Sequence, residues 1–156
     1  MRVIQSPQEL ASLVGQQVAT SDWMDISQQR INQFADATGD HQWIHIDTER
    51  AAKESPFGTT IAHGFLTLSL IPMMMENAIR LSYVRMGINY GLNKVRFPSP
   101  VPVGSKVRGH LKLLAVDNIP DGVQMCWEVS IEREGSDKPV CVAESLARCY
   151  QNSFHQ

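Results

Sequence analysis

The chain is organised around two segments, F-A-D-A-T-G-D-H-Q-W-I-H-I-D at residues 34–47 and G-T-T-I-A-H-G-F-L-T-L-S-L-I-P at residues 58–72. In the first segment a helix-like run stops at Gly39 and gives way at once to titratable and aromatic side chains, which predicts a non-helical turn. The second segment begins a long apolar run with His63 and Gly64 at its entrance. Because breaks in local consistency concentrate where function lies, these segments form the candidate active site.

Length and composition are those of an ordinary globular chain. The 156 residues are 43% hydrophobic and 19% charged, with a formal net charge of −2. This length suffices to bury a core in one domain, so a single domain over residues 1–156 is expected. The charge shows no basic excess, which speaks against nucleic acid as a partner.

Targeting signals and cysteines favour a cytoplasmic protein without a membrane partner. The first ten residues contain no apolar signal-peptide core. The apolar run at residues 61–75 is interrupted by polar residues and is too mixed to span a bilayer. Cys126, Cys141 and Cys149 form no Cys-x-x-Cys pair, and their place in predicted strands indicates reduced, buried thiols.

Capping signals predict helices in the first half of the chain. A first helix should start after Ser6, a second after Ser27 and a short polar one after Asp47, since each residue is a favoured N-cap. From Gly64 to Leu81 apolar residues occupy most faces of a predicted long helix, which indicates burial. Proline at position 72 should kink or divide this helix.

The second half of the chain alternates apolar and polar residues with period two after Gly87. Residues 106–116, 123–132 and 140–150 are predicted strands, separated by turn signals at 118–122 and 134–139. Long antiparallel strands make a broad curved sheet, and the one long helix is available to cover its concave face. The sequence therefore predicts an α+β fold.

Three motifs carry a resemblance to a known family. They are G-D-H-Q-W-I-H-I-D at 39–47, I-A-H-G-F-L-T-L-S-L at 61–70, and N-K-V-R-F-P-S-P-V-P-V-G-S-K-V-R at 93–108. Together they resemble the MaoC-like (R)-specific enoyl-CoA hydratases, which have a hotdog fold, and most nearly their nodulation-protein-N-like, single-hotdog branch. The resemblance extends over residues 23–150.

The resemblance implies a long central helix wrapped by a curved antiparallel sheet, and a homodimer whose two sheets join edge to edge. It also implies an active site beside the dimer interface, acyl-CoA or acyl-carrier thioesters as substrates, and no metal or bound redox cofactor. Asp40 and His45 match the family's catalytic pair, and Gly64 matches the residue whose backbone N–H binds the thioester oxygen. Pro72 stands where some hydratases have a serine, so no catalytic serine is expected.

The residue types suit hydration of an α,β-unsaturated thioester. A carboxylate and an imidazole that hold one water can deprotonate it and return a proton, and a helix N-terminus can stabilise the oxyanion. Asp40 is assigned as the base toward water and His45 as the partner that orients the water, with the reverse division open.

Other residues are weaker candidates for substrate binding. His63 is expected to fix the loop at the helix entrance rather than to catalyse. Met73, Met74 and Met75 either line an acyl pocket or fill the core. Polar residues that precede and enter the first strand of the sheet are expected to contact the thioester or the partner subunit: Asn89, Gly91, Asn93 and Lys94.

Two other classes of function stay open at this point. One is another hotdog reaction, either acyl-CoA hydrolysis or dehydration of 3-hydroxyacyl thioesters on an acyl-carrier protein. The other is a non-catalytic thioester-binding module, against which the intact Asp40, His45 and Gly64 argue.

Overall fold

The structure, a computed structural model, describes residues 1–151, and the helices and strands below are those of that range. Short helices occupy the first half and long strands the second. In chain order they are β1 Arg2–Ile4, α1 Pro7–Ser12, β2 Gln17–Thr20, β3 Met24–Asp25, α2 Gln28–Thr38, α3 Trp43–Ile46, α4 Thr48–Glu54, α5 Gly64–Ser69, α6 Ile71–Ala78, β4 Ile79–Leu81, β5 Val84–Arg96, β6 Lys106–Ile119, β7 Gly122–Arg133 and β8 Cys141–Gln151.

One antiparallel sheet dominates the fold. Its strand order is β2-β6-β7-β8-β5, and β3 also pairs with β6. Strands β6, β7 and β8 form the predicted meander, and β5 lies antiparallel to β8. A separate parallel pair joins β1 to β4. The predicted α+β class is therefore confirmed.

The core lies between the sheet and the two central helices, α5 and α6. Every second side chain of β7 from Val123 to Ile131 is buried, and Trp127 is fully enclosed. Met74 of α6 is also fully buried, and its Sδ would lie 2.9 Å from a Cβ added to Gly109 of β6. Each such apolar side chain contributes about 1.5–3 kcal/mol on burial, so the central helices are held firmly on the sheet.

The predicted helix starts are confirmed by their side-chain caps. Ser6 Oγ accepts a hydrogen bond from the Glu9 N–H at 3.1 Å, and Ser27 Oγ accepts one from Arg30 at 3.1 Å. Asp47 Oδ1 caps α4 through the Arg50 N–H at 3.0 Å. These caps satisfy N–H groups that a helix leaves unpaired in its first turn.

The central helix is divided, as the sequence predicts for Pro72, and it is shorter than predicted. It divides at Leu70 into α5 and α6, because Pro72 has no N–H to continue the hydrogen-bond ladder. It ends at Ala78 rather than at Leu81. The helical interpretation of residues 79–81 was wrong: they form β4, whose partner β1 lies at the start of the chain.

Two further boundaries differ from the sequence analysis. The turn after Gly39 contains one helical turn, α3, where a non-helical segment was predicted. Strand β5 begins at Val84 rather than after Gly87, so Asn89 to Lys94 lie inside the strand instead of leading into it. Across the part of the chain that the structure describes, no helix is long and apolar enough to cross a membrane.

Candidate active site

Helix α3 and the segment before α5 come together through main-chain and side-chain hydrogen bonds. The Ile61 N–H donates to the Ile44 carbonyl at 3.1 Å. Gln28 Nε2 donates to the His45 carbonyl at 2.8 Å, and Thr60 Oγ1 donates to Gln28 Oε1 at 2.5 Å. The two segments of the candidate site, separated in sequence, are thereby tied into one wall.

His45 is buried and held in one tautomer. Its Nδ1 lies 2.7 Å from the Ile61 carbonyl oxygen, and because a carbonyl only accepts, Nδ1 carries the proton. Nε2 is then left as an acceptor. Burial lowers the pKa of His45, and the nearby His63 lowers it further, against the raising effect of the Ile61 hydrogen bond and of Asp40. His45 is thus a neutral imidazole that can accept a proton at Nε2.

His63 lies directly against His45. The two rings stack with centroids 3.9 Å apart and an interplanar angle of 24°, and Phe34 packs on His63 with centroids 4.9 Å apart. His63 Nε2 donates to the main-chain carbonyl of Asp40 at 3.0 Å. The side chain of His63 therefore ties the start of α5 to the main chain of Asp40, and its role in the function stays a prediction.

Asp40 brings a carboxylate to the same place from the solvent side. The residue is exposed, whereas His45 and His63 are buried. One ligand atom from each of the three side chains lies within 4.8 Å of the others. The carboxylate and the free Nε2 of His45 are both acceptors, and a water has two hydrogens to donate. This arrangement suits one water held between Asp40 and His45.

Asp40, His45 and His63 are also residue types that bind divalent metal ions in proteins. Their geometry fits a cation poorly, because the two imidazole rings stack at 24° with centroids 3.9 Å apart, so their lone pairs lie in two nearly parallel planes and not in planes that cross at one point between the rings. One nitrogen of each ring is already bonded to a carbonyl oxygen. The geometry thus favours a water between Asp40 and His45, and the expected lack of a metal stays a prediction.

Gly64 begins α5 immediately after His63. A Cβ at Gly64 would lie 3.2 Å from the ring carbons of Phe97, so glycine permits this close approach. The first N–H groups of a helix have no partner within the helix, and the Gly64 N–H is one of them. A cavity of about 360 Å³ adjoins this position. It is lined by Phe57, Ile61, Ala62, Gly64, Thr67, Phe97, Pro98, Ser99, Pro100, Val101 and Val140.

The remaining predicted binding residues lie elsewhere on the molecule. Asn89 and Gly91 line a second cavity, of about 380 Å³, between the central helices and β5. Asn93 and Lys94 are further along β5, where Lys94 is opposite Glu144 of β8. The structure therefore brings Asp40, His45 and His63 together, with Gly64 next to His63 in the chain. Asn89 and Gly91 instead line a cavity beside the later residues of α5.

The three methionines divide between the two roles considered for them. Met74 is part of the core, and Met73 is 40% exposed. Met75 lines a cavity of about 500 Å³ under α6, together with Ile71, Val84 and Met125 among others. Only Met75 is thus placed to line an apolar pocket.

Sequence reasoning missed the residues that support the site. Gln28 and Thr60 carried no motif, and the helical periodicity marked Phe34 only as a core position. Thr67 lay inside the apolar run of the central helix. Their signals are tertiary contacts, which local patterns do not encode.

A buried imidazole and a carboxylate lie at the entrance of a helix that packs on an antiparallel sheet, and comparison with known proteins identifies the chain as a hydro-lyase with a hotdog fold. Residues 9–133 match the family described as MaoC like domain. The chain belongs to this family.

Named relatives agree with this class. The chain is 54% identical over 149 residues to 3-hydroxyacyl-thioester dehydratase Z of Mycobacterium tuberculosis, covering 95% of this chain and 98% of the relative. It is 47% identical over 141 residues to nodulation protein N of Rhizobium meliloti, covering 89% and 88%. The structure of the R-hydratase PhaJ1 from Pseudomonas aeruginosa superposes with a TM-score of 0.69 at 25% identity, covering 88% and 82%.

Proposed function

We propose that the protein is an (R)-specific enoyl thioester hydratase. It adds water reversibly to trans-2-enoyl-CoA or the matching acyl-carrier thioester and yields the (R)-3-hydroxyacyl thioester. The observation that carries this proposal is the convergence of the Asp40 carboxylate and the neutral His45 imidazole within 4.8 Å. Both groups accept hydrogen bonds there, as activation of a single water requires.

The proposed reaction conserves every atom of substrate and water. Asp40 takes one proton from the water while His45 Nε2 accepts a hydrogen bond from the other hydrogen. The water oxygen forms a bond to Cβ of the substrate, and the π electrons move toward the thioester oxygen. The Gly64 N–H at the start of α5 stabilises that oxygen. A proton then returns to Cα from the Asp40–His45 pair, and dehydration is the same path in reverse.

The relatives support the chemistry at the level of their names. One is called a 3-hydroxyacyl-thioester dehydratase and another an R-hydratase. Hydration and dehydration are the two directions of one equilibrium, so both names fit the reaction proposed here.

The test removes each acid-base group without changing its size much. Asp40→Asn and His45→Gln should each lower kcat for crotonyl-CoA by about 10²–10⁴-fold, the usual contribution of a positioned acid or base. The measurement is loss of the enoyl thioester absorbance with crotonyl-CoA and longer enoyl-CoAs, with chiral analysis of the product.

Matched controls exist close to both residues. Asp36→Asn removes an exposed carboxylate, and His41→Asn removes an exposed imidazole that pairs with Asp36 at 2.9 Å. Both controls should keep wild-type turnover. Unchanged turnover in either site variant, or an (S) product, contradicts the proposal. Release of free thiol at the rate of enoyl loss would instead indicate a thioesterase.

A homodimer is the second part of the proposal. Strand β5 forms one edge of the main sheet. Its residues are exposed, except for Val84 and Val95, which are half-buried. Met86, Ile88 and Tyr90 are 49%, 47% and 55% exposed. A long edge strand with apolar side chains invites pairing with another strand, and a second copy of β5 provides one. We also propose that the protein binds no cofactor and is cytoplasmic. Metal analysis of the purified protein tests the first point, and cell fractionation tests the second.

A further inference from the structure

The main-chain carbonyl of His45 is held by a side chain from another helix. Helix α3 has only four residues, Trp43–Ile46, and Gln42 at its N-cap provides no side-chain hydrogen bond. So short a helix has little stability of its own, and the carbonyls of its last turn have no partner within it. The carbonyl of His45 finds its partner in Gln28 of α2, whose Nε2 donates to it at 2.8 Å.

The hydrogen bonds of Gln28 determine the orientation of its amide. Because a carbonyl oxygen only accepts, the amide nitrogen of Gln28 must face His45, and the amide oxygen must face away from it. That oxygen accepts from the Thr60 hydroxyl at 2.5 Å. The second N–H of the amide donates to Asn32 Oδ1 at 2.9 Å. Thr60 is 1% exposed, so its hydroxyl is shielded from water.

Thr60 belongs to a segment that residues outside α3 also hold. The Val103 N–H donates to the Thr60 carbonyl at 3.0 Å. The next residue, Ile61, provides the carbonyl oxygen that accepts from His45 Nδ1 at 2.7 Å. Residues 60 and 61 therefore hold His45 at two points, directly at the imidazole ring and through Gln28 at the main chain.

We propose that Gln28 is a positioning residue, which holds the His45 main chain so that the imidazole stays at the water site, and that Thr60 fixes the orientation of the Gln28 amide. This role rests on the hydratase function proposed above. Two fixed points set the direction of the His45 side chain, and loss of the amide leaves only the contact with Ile61. The ring can then tilt about this contact, and Nε2 leaves the position from which it accepts a hydrogen bond from water.

The variants remove one hydrogen-bonding group at a time. Gln28→Met keeps the length of the side chain and removes its amide. Thr60→Val keeps the shape of threonine and removes its hydroxyl, whereas Thr60→Ser keeps the hydroxyl. Two controls lie on the same helix: Gln29→Met makes the first change at an exposed position, and Asn32→Ala removes only the exposed partner of Gln28.

The first readout is the Nδ1–H proton of His45. Because it is bonded to the Ile61 carbonyl, this proton should give a slowly exchanging NMR signal that is missing from His45→Gln. Gln28→Met should make its exchange with water about tenfold faster, since exchange requires the bond to open. Thr60→Val should have a smaller effect of the same kind. Thr60→Ser and both controls should exchange as the wild type does.

Turnover of crotonyl-CoA is the second readout. Gln28→Met should lower kcat about 10- to 100-fold with KM nearly unchanged, since misplacement of a catalytic group acts on the chemical step. Thr60→Val should lower kcat less, and Thr60→Ser should keep it. A lower kcat with unchanged exchange of the His45 proton overturns the positioning role, and so does faster exchange with an unchanged kcat.

Two further outcomes have a defined meaning. If Gln28→Met does not fold, the comparison of Thr60→Val with Thr60→Ser decides the proposal by the same two readouts. If the wild type hydrates no enoyl thioester, the hydratase proposal fails, whereas the exchange measurement still decides whether Gln28 holds His45. An equal effect of Gln29→Met on both readouts contradicts a specific role for Gln28.

Discussion

His45 shows how burial and one hydrogen bond keep an imidazole neutral and in one tautomer. The Ile61 carbonyl oxygen accepts a hydrogen bond from the Nδ1–H of His45, and burial disfavours a charge on the ring. The neutral form is thus the stable one in the folded protein. This state matches a group that accepts a hydrogen bond from water before any proton moves.

The lowered pKa of His45 predicts a pH dependence of stability. The unfolded chain binds this proton at about pH 6.5, and the folded chain binds it only at lower pH. Stability from neutral His45 is therefore complete above about pH 6.5 and falls as the pH drops below it. The free energy of unfolding by urea, measured for the wild type minus His45→Gln, should decrease from about pH 7.5 to 5.5.

His41 supplies a contrast of opposite sign. Its pKa is raised, first by the hydrogen bond to Asp36, so its contribution is present at low pH and is lost as the pH rises through the folded pKa. The free energy of unfolding of the wild type minus that of His41→Asn should therefore increase as the pH falls. If the difference between the wild type and His45→Gln instead increases as the pH falls, the assignment of a neutral His45 is contradicted.

The sequence alone could single out Asp40 and His45 as candidates, because they match a motif of the family that the chain resembles. It could not identify the Ile61 contact, since any residue at that position offers the same carbonyl oxygen. It could not show the stacking of His63 on His45 either, because that contact joins two segments 18 residues apart.

The first residue of α5, Gly64, lies close against the Phe97 ring and leaves little room for a larger side chain. Gly64→Ala would put a methyl group 3.2 Å from the Phe97 ring. The ring is 42% exposed and can move aside, so the variant should fold. The displaced ring and the new methyl group crowd the thioester position, and kcat/KM for enoyl-CoA should fall about 10- to 100-fold.

A second substitution tests this cause directly. Phe97→Leu in the Gly64→Ala background removes most of the crowding and should recover a large part of the lost kcat/KM. Phe97→Leu alone is the matched single control, because it changes the ring without adding a methyl group at Gly64. No recovery in the double variant would show that contact with Phe97 is not the cause.

Helix starts were easier to predict than helix ends in this chain. Ser6, Ser27 and Asp47 each accept a hydrogen bond from the N–H three residues later. The whole signal for these helix starts is therefore local in the sequence. The end of α6 depends on β1, which lies far away along the chain. The apolar pattern of residues 79–81 fits a helix or a strand equally well, and the distant partner decides between them.

The proposed dimer predicts that the exposed edge of β5 pairs with a second copy of the chain. Ile88→Lys places a charge on the apolar stretch of this strand and should raise the dimer dissociation constant by about 10- to 100-fold. Sedimentation velocity over a range of concentrations measures this change. A wild type that stays monomeric at high concentration contradicts the dimer.

Leu114→Lys is the control for assembly. Leu114 lies half-buried on β6, which two strands separate from β5 in the sheet. The same charge there should leave the dissociation constant unchanged. Equal weakening by both variants would indicate a general loss of stability instead of a lost interface.

The small parallel pair of β1 and β4 has a consequence for the order of folding. Arg2 pairs with Ile79, so the pairing of these two strands closes a loop that contains about half of the chain. Closing so large a loop is costly in entropy until other contacts have brought its ends together. We therefore expect the pair to form late and to bind the first residues to the strand that follows α6. During synthesis the N-terminal strand must wait for its partner to leave the ribosome.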